Sequence, residues 1–200
     1  MALIEILMKF RNPDSGNKIS KKSLYLTIFI VVIMVSSVIG FVAFTGQDDG
    51  VKADLEYNGF SFIKANSGWV TKINSRDIYF DYLPNEVKDI NYDKSKLSIQ
   101  SKVYIAYDPS KKENMDFILS KLDSNIKSLG YTTNLACVKE KNCPDVPVVD
   151  CESKDNILFL KIDNKNDIYR DKGCIIIEGI DTIELAKATD RFIYSITGVI

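Results

Sequence analysis

Four cysteines are the side chains of this chain whose type and spacing are best suited to chemistry: Cys137, Cys143, Cys151 and Cys174. Cysteine thiols form disulfides, bind metals as thiolates or exchange electrons with other thiols. All four follow the long apolar segment near the N-terminus, and none precedes it or lies within it. An even number of cysteines on one side of such a segment predicts two disulfides in an oxidising compartment.

The pairing of the cysteines is open to three arrangements. We favour Cys137–Cys143, which closes a small loop, and Cys151–Cys174, which would join two strand edges. A four-thiolate zinc site is an alternative, but such sites usually take their ligands as close C-x2-C pairs. The spacings here are C-x5-C, x7-C and x22-C. A thiol–disulfide oxidoreductase is a second alternative, and it would need a C-x-x-C motif that the sequence lacks.

The chain contains no histidine, so Ser-His-Asp and Cys-His catalysis are excluded. The remaining acid–base candidates are carboxylates at the predicted strand ends, Asp108, Asp150 and Glu178. Ligands of open α/β sheets bind beyond the carboxyl ends of strands, where two such carboxylates could hold a cation or exchange a proton. Asp108 is better explained as the cap of a helix start, and Glu178 as a residue that precedes a tight turn. We therefore assign no catalytic residue, metal ligand or cofactor.

The uncharged run Leu24–Phe44 decides on which side of a membrane the cysteines lie. A helix of that length spans about 30 Å, the thickness of the hydrocarbon core of a bilayer, and predicts one transmembrane helix. Basic residues precede it and acidic residues dominate just after it, which places the N-terminus in the cytoplasm and the C-terminal domain outside. A cleavable signal peptide is the alternative, although its apolar core is usually only about 7–15 residues long.

These signals divide the chain into four parts. Residues 1–23 form a basic cytoplasmic tail, 24–44 the transmembrane helix, 45–58 a juxtamembrane linker and 59–200 an extracytoplasmic domain. The tail has five basic and two acidic side chains, so a total charge of −1 leaves a net charge of −4 outside. Binding to nucleic acid requires clustered Lys and Arg, and nucleic acid is therefore excluded as a partner.

The external domain is predicted to begin with a three-stranded meander over residues 59–83. Asn66-Ser67-Gly68 and Asn74-Ser75 supply its turns. Most of its aromatic side chains are expected in a core, with an aromatic ligand platform as the alternative. These side chains are Phe60, Phe62, Trp69, Tyr79, Phe80 and Tyr82.

Two strand–helix units follow the meander. Leu97–Tyr107 alternates as a strand, and Ser110 with Glu113 matches a capping box for a helix that ends before Gly130. The apolar stripe of this helix contains Met115, Ile118, Leu119, Leu122, Ile126 and Leu129. Its packing on the strand completes the first unit.

The second unit is predicted near the C-terminus. Strands are expected over residues 131–138, 156–162 and 174–177, with a polar loop over 163–172. The last helix, over residues 182–197, begins with a second capping box at Asp181 and Glu184. The fold class is α+β, or α/β, with a mixed sheet, preceded by one N-terminal transmembrane helix.

Three stretches of the external domain carry a resemblance to a known group of proteins. They are residues 68–87 (GWVTKINSRDIYFDYLPNEV), the cluster of Cys137, Cys143-Pro144 and Cys151, and residues 174–200 (CIIIEG…LAKATDRFIYSITGVI). Together they resemble uncharacterised single-span membrane proteins of archaea with a cysteine-containing extracytoplasmic domain. The resemblance covers most of the domain and implies an archaeal membrane setting. It implies no activity, since that group has none assigned.

An anchor, a domain with disulfides and the lack of a catalytic set favour an extracytoplasmic interaction module of the cell envelope. Its partners would be membrane lipid, through Leu24–Phe44, and a protein of the envelope or membrane. Two alternatives stay open. One is a membrane-tethered enzyme that uses the strand-end carboxylates, and the other is an accessory subunit whose span packs into a larger membrane complex.

Overall fold

The computed structural model describes residues 25–35, 53–92, 97–152 and 156–200, and of residues 112–114 it describes only the backbone. The chain divides into two units, Met1–Val51 and Lys52–Ile200. In the first unit, residues 25–35 form a helix with exposed side chains. No helix among the described residues has the length and apolar character needed to cross a membrane. Leu24 and residues 36–44 of the predicted span lie outside the described residues, as do the tail and most of the linker.

The second unit begins with an antiparallel four-stranded sheet, sheet A. Its strands are β1 (Leu55–Tyr57), β2 (Phe60–Ala65), β3 (Gly68–Ile73) and β4 (Arg76–Phe80), paired in chain order. The last three confirm the predicted meander. The first lies within the segment that the sequence assigned to the linker. Three residues are too few to show the apolar–polar alternation by which a strand is recognised in a sequence. β1 forms because Leu55 and Tyr57 pair with Phe62 and Phe60 of β2.

Sheet B has six strands in the order β5-β9-β10-β8-β6-β7. They are β5 (Asn91–Tyr92), β6 (Lys102–Tyr107), β7 (Thr132–Cys137), β8 (Ile157–Ile162), β9 (Asp167–Asp171) and β10 (Cys174–Gly179). β10, β8, β6 and β7 are parallel, whereas β9 runs antiparallel to β10. The predicted mixed sheet is therefore confirmed. The expected polar loop over 163–172 is wrong, because β9 lies within it and buries only Ile168.

Three helices complete the unit: α1 (Pro84–Val87), α2 (Asp116–Ser128) and α3 (Thr182–Thr197). α2 and α3 pack against each other, and both share one apolar core with the inner face of sheet B. α2 also packs against β4, so the helices contact both sheets. An aromatic cluster joins sheet A to α3, with Phe80 stacked on Tyr194 at 4.0 Å between ring centroids.

The two predicted helix starts have different outcomes. α3 begins as expected, with the Asp181 carboxylate accepting the Glu184 main-chain N–H at 2.8 Å. α2 begins at Asp116 rather than Ser110, after a 3₁₀ turn over Pro109–Asn114. Ser110 donates its main-chain N–H and its hydroxyl to Asp108 Oδ1, at 3.0 and 2.7 Å. This local turn uses the groups that the predicted capping box needed. The predicted apolar stripe is buried from Met115 to Ile126.

Part of the outer face of sheet B is covered by Val138, Val149 and Cys151 of the segment 138–152 rather than by a helix. Val149 packs there in a small core with Ala106, Ala136, Ile157 and Ile176. Two disulfides attach this segment to the sheet, Cys137–Cys143 and Cys151–Cys174, in the pairing that the sequence favoured. No cysteine is left as a free thiol for zinc or for thiol exchange.

The two disulfides should differ in what they contribute to stability. Their sequence separations are 23 residues for Cys151–Cys174 and 6 for Cys137–Cys143. In the chain-entropy model, this corresponds to about 3 and about 2 kcal/mol. We expect urea unfolding of the Cys151→Ala/Cys174→Ala variant to show the larger loss. The Cys137→Ala/Cys143→Ala variant is the matched control, and an equal or larger loss in that variant would contradict the assignment of the long loop.

Candidate functional site

The most exposed aromatic side chains of the folded unit surround a groove between sheet A and α2. The groove has a volume of about 270 Å³. Phe117, on α2, is 66 % exposed, and Tyr79, on β4, is 53 % exposed. Trp69, on β3, is partly buried and lines the same groove. Large apolar side chains gathered around a concavity mark binding sites more often than the same side chains scattered singly.

Five of the six aromatic side chains of the predicted meander lie in or against the core, as most of the group was expected to. Phe62 and Phe80 are buried, and Phe60, Trp69 and Tyr82 are partly buried against them. Tyr79 lines the groove, and Trp69 lines it as well as contacting the core, as in the alternative of an aromatic platform. Alternation along β4 explains the difference for that strand, because Ile78 and Phe80 share the inner face and Tyr79 faces the other way.

Gly68 shapes one wall of the groove. Its φ is 145°, a value that residues with a side chain rarely adopt. A Cβ at this position would also overlap the main-chain oxygen of Phe80. The hairpin between β2 and β3 therefore approaches the end of β4 as closely as it does only because residue 68 is glycine.

Asn125 connects the groove to the edge of sheet A. Its side chain is buried, and it accepts the Tyr79 N–H at 3.2 Å and donates to the Tyr79 carbonyl at 2.7 Å. These are the two main-chain groups that an added strand would use at this position. A partner is therefore unable to bind here by extending the sheet.

A buried ion pair reaches the groove through Lys121, which lines it together with Asp81. Lys121 Nζ of α2 lies 2.8 Å from Asp190 Oδ1 of α3, and it also bonds the carboxylate of Asp81. Asp190 is fully buried, and its second oxygen accepts the main-chain N–H groups of Asp81 and Tyr82 at 2.8 and 3.0 Å. One carboxylate thus holds α2, α3 and the end of β4 together.

Burial raises the pKa of Asp190 to about 6, although Lys121 and the main-chain donors oppose the shift. Asp190 is not among the site residues predicted from the sequence. A signal was present, because Asp190 lies between Ala186 and Ile193 at the spacing of one helix face. A charged residue inside an apolar stripe indicates a buried partner.

The structure does not gather the three strand-end carboxylates of the sequence analysis into one pocket. Asp108 borders a separate crevice, and Lys139 and Ser110 lower the pKa of its carboxyl to about 2. Glu178 is buried and accepts the Tyr169 hydroxyl at 3.0 Å. Asp150 is exposed and accepts the Glu152 main-chain N–H. Within the part of the chain that the structure describes, no group of three or more acidic or cysteine side chains could hold a metal ion.

Comparisons with protein-family models, with curated proteins and with solved structures return no match for this chain.

The raised pKa of Asp190 predicts a pH-dependent contribution to stability. Between pH 3.8, the ordinary aspartate value, and about 6, the folded chain binds a proton at Asp190 that the unfolded chain does not. This group alone makes the free energy of unfolding fall as the pH rises through that window. The wild-type value minus the Asp190→Asn value should therefore be more positive at about pH 4 than at about pH 7.

Asp108→Asn is the matched control for this measurement. The pKa of Asp108 lies at about 2, below the ordinary value of 3.8, so its contribution is lost as the pH falls through the range from 3.8 to about 2. Between about pH 4 and pH 7, its difference from wild type should change by only a few tenths of a kcal/mol in urea titrations. An equally small change for Asp190→Asn would contradict the assigned titration.

Proposed function

We propose that residues 53–200 form a protein-interaction module of the cell envelope, tethered by an N-terminal membrane span. The groove binds an apolar side chain of a partner protein. One observation carries this proposal, namely the exposure of Phe117 and Tyr79 beside Trp69 around a concave surface. Aromatic side chains in such positions supply much of the binding energy of protein interfaces.

The size of the groove favours a protein partner over a small-molecule ligand. Its volume of about 270 Å³ lies below the range of about 300–1,000 Å³ that is typical of small-molecule sites. It suits one large inserted side chain. Ser67, Ser120 and Ser124 also line the groove. Aromatic rings combined with serine are the composition of antibody surfaces that bind proteins.

The groove is held in a defined shape before any partner arrives. Lys121, Asp190 and Asn125 fix α2 against the end of β4 through buried polar contacts. A surface that needs little ordering on binding loses less conformational entropy, which increases the affinity. Because Asn125 occupies the main-chain groups of Tyr79, recognition proceeds by side-chain insertion.

The proposed location is supported by two kinds of evidence. Both disulfides belong to an oxidising compartment. The basic residues before Leu24–Phe44 and the acidic residues after it favour a cytoplasmic N-terminus. A tethered enzyme is not proposed, because Asp108, Asp150 and Glu178 line no common pocket.

A crosslinking experiment tests the partner proposal. A photoreactive phenylalanine analogue replaces Phe117 in one chain and Ile183 in another, since Ile183 is an apolar residue of α3 with a comparable exposure of 57 %. We expect a discrete protein adduct from position 117 only, lost when Tyr79→Ser is added. Adducts of equal yield from both positions would contradict a specific groove.

The crosslinked partner is then purified and its affinity measured. Phe117→Ala should weaken binding by about tenfold or more, as for an interface hot spot, whereas Ile183→Ala should leave it unchanged. Phe117→Ala should change the free energy of unfolding by less than about 0.5 kcal/mol, because exposed positions contribute little to stability. An unchanged affinity in the Phe117 variant would remove the groove as the binding surface.

The orientation is tested with an amine reagent that does not cross membranes. In intact cells it should modify exposed lysines of the folded domain, such as Lys127 and Lys139. It should spare the tail lysines, Lys9, Lys18, Lys21 and Lys22, until the cells are lysed. Mass spectrometry of the peptides measures the modification of the domain lysines and of the tail lysines in the same sample. Modification of the tail alone would reverse the topology and remove the proposed location.

A further inference from the structure

A second concavity, here called the crevice, lies at the carboxyl ends of the neighbouring parallel strands β6 and β8. From β6 the chain continues to β7 on one side, and from β8 it continues toward β9 and β10 on the other side. Adjacent parallel strands whose connections leave in opposite directions open a ligand-binding crevice between them. Its volume of about 500 Å³ lies within the range of about 300–1,000 Å³ for small-molecule sites.

The walls of the crevice are apolar near the base. Met115 and Leu160 are buried there, and Phe159 and Val138 are partly buried beside them. Side chains of this kind offer contact area to the body of an organic ligand and do not bind a hydrated inorganic ion well. The crevice therefore favours a ligand with an apolar part.

The rim of the crevice carries three lysines and Asp108. Lys139 is paired with Asp108, and Lys161 is paired with Asp163 and lies 3.9 Å from Glu178. These carboxylates neutralise two of the three ammonium groups. The remaining ammonium group is therefore the one available to a ligand at the rim.

Lys111 is the third lysine. Its ammonium group donates a hydrogen bond to the main-chain oxygen of Ile162 at 2.7 Å. The Lys111 side chain therefore extends from the segment after β6 to the end of β8. Among the residues that the structure describes, no carboxylate lies within ion-pair distance of it. The hydrogen bond from Lys161, and to a lesser extent the charge of Lys111, lower the pKa of the Asp163 carboxyl, so this carboxylate also attracts Lys111. An ammonium group with two further protons and no direct carboxylate partner among the described residues, beside an apolar wall, is suited to an oxyanion.

We propose that the crevice binds a small organic oxyanion, a carboxylate or a phosphate monoester with an apolar body. The anionic group binds Lys111, and the body packs on Met115, Phe159 and Leu160. This site is separate from the groove, and it does not depend on the protein partner proposed above.

NMR titration of the ¹⁵N-labelled full chain in a mild detergent tests the proposal. The probes are benzoate and phenyl phosphate, with benzyl alcohol as the uncharged counterpart. We expect saturable shifts of the Ser110, Lys111, Lys161 and Ile162 amides with at least one of the two oxyanions, and none with benzyl alcohol. The oxyanion that binds with the higher affinity identifies the anionic group that the crevice prefers. No saturable shift with either oxyanion, or equal shifts with benzyl alcohol, would overturn the site.

Variants distinguish the charge of Lys111 from its hydrogen bond to Ile162. Lys111→Gln retains a donor and loses the charge, and it should weaken oxyanion binding by about tenfold. Lys111→Arg retains the charge and should bind within about twofold of wild type. Lys127→Gln, which removes an exposed lysine of α2, is the matched control and should have no effect. Equal affinity in Lys111→Gln and wild type would overturn the role of Lys111.

The Phe117→Ala variant separates this proposal from the proposed function. It should leave oxyanion binding intact while weakening the protein partner. Amide shifts confined to the groove, at Trp69 and Phe117, would instead assign the probes to the aromatic surface and overturn the crevice as their site.

Discussion

One buried carboxyl group, that of Asp190, joins α2, α3 and sheet A in this domain, with Lys121 as its charged partner. Desolvating two charges costs several kcal/mol, and the cost is offset only when the remaining hydrogen-bonding groups are satisfied. Here the Asp190 carboxylate receives Lys121 and two main-chain N–H groups at the end of β4. Lys121, which contacts Asp190 in this junction of α2, α3 and sheet A, also lines the groove, so the binding surface and the packing of the domain share this residue.

Sheet B shows a second constraint, which is the need of parallel strands for cover on both faces. α2 and α3 cover one face with aliphatic side chains. Part of the other face is covered by residues 138–152, a segment with little regular structure in which Val149 is the one buried residue. Such a segment has few main-chain bonds to hold it, and the disulfides supply the attachment that a second helical layer provides in other α/β domains.

The two concave surfaces differ in chemistry although one stretch of chain contributes to both. Met115 lies in the wall of the crevice, and Phe117, two residues later, lies at the groove. The helical rotation between them directs the first to the strand ends of sheet B and the second to sheet A. The groove combines exposed aromatic rings with serine, whereas the crevice combines an apolar wall with the ammonium group of Lys111.

The sequence alone determined the features that depend on neighbouring residues. Alternation predicted the meander, the apolar stripe predicted the buried face of α2, and Asp181 predicted the start of α3. The tertiary structure decided what depends on distant residues. β1 and β9 exist because of their partners in the sheets, and Asp108 shifted the start of α2 through Ser110. Asp190 and Lys121 are far apart in sequence, and no local pattern predicts which basic side chain will pair with a buried carboxylate. Local conformational preference is encoded within a few residues, whereas strand order, ion pairs and concave surfaces arise only when remote segments are brought into contact.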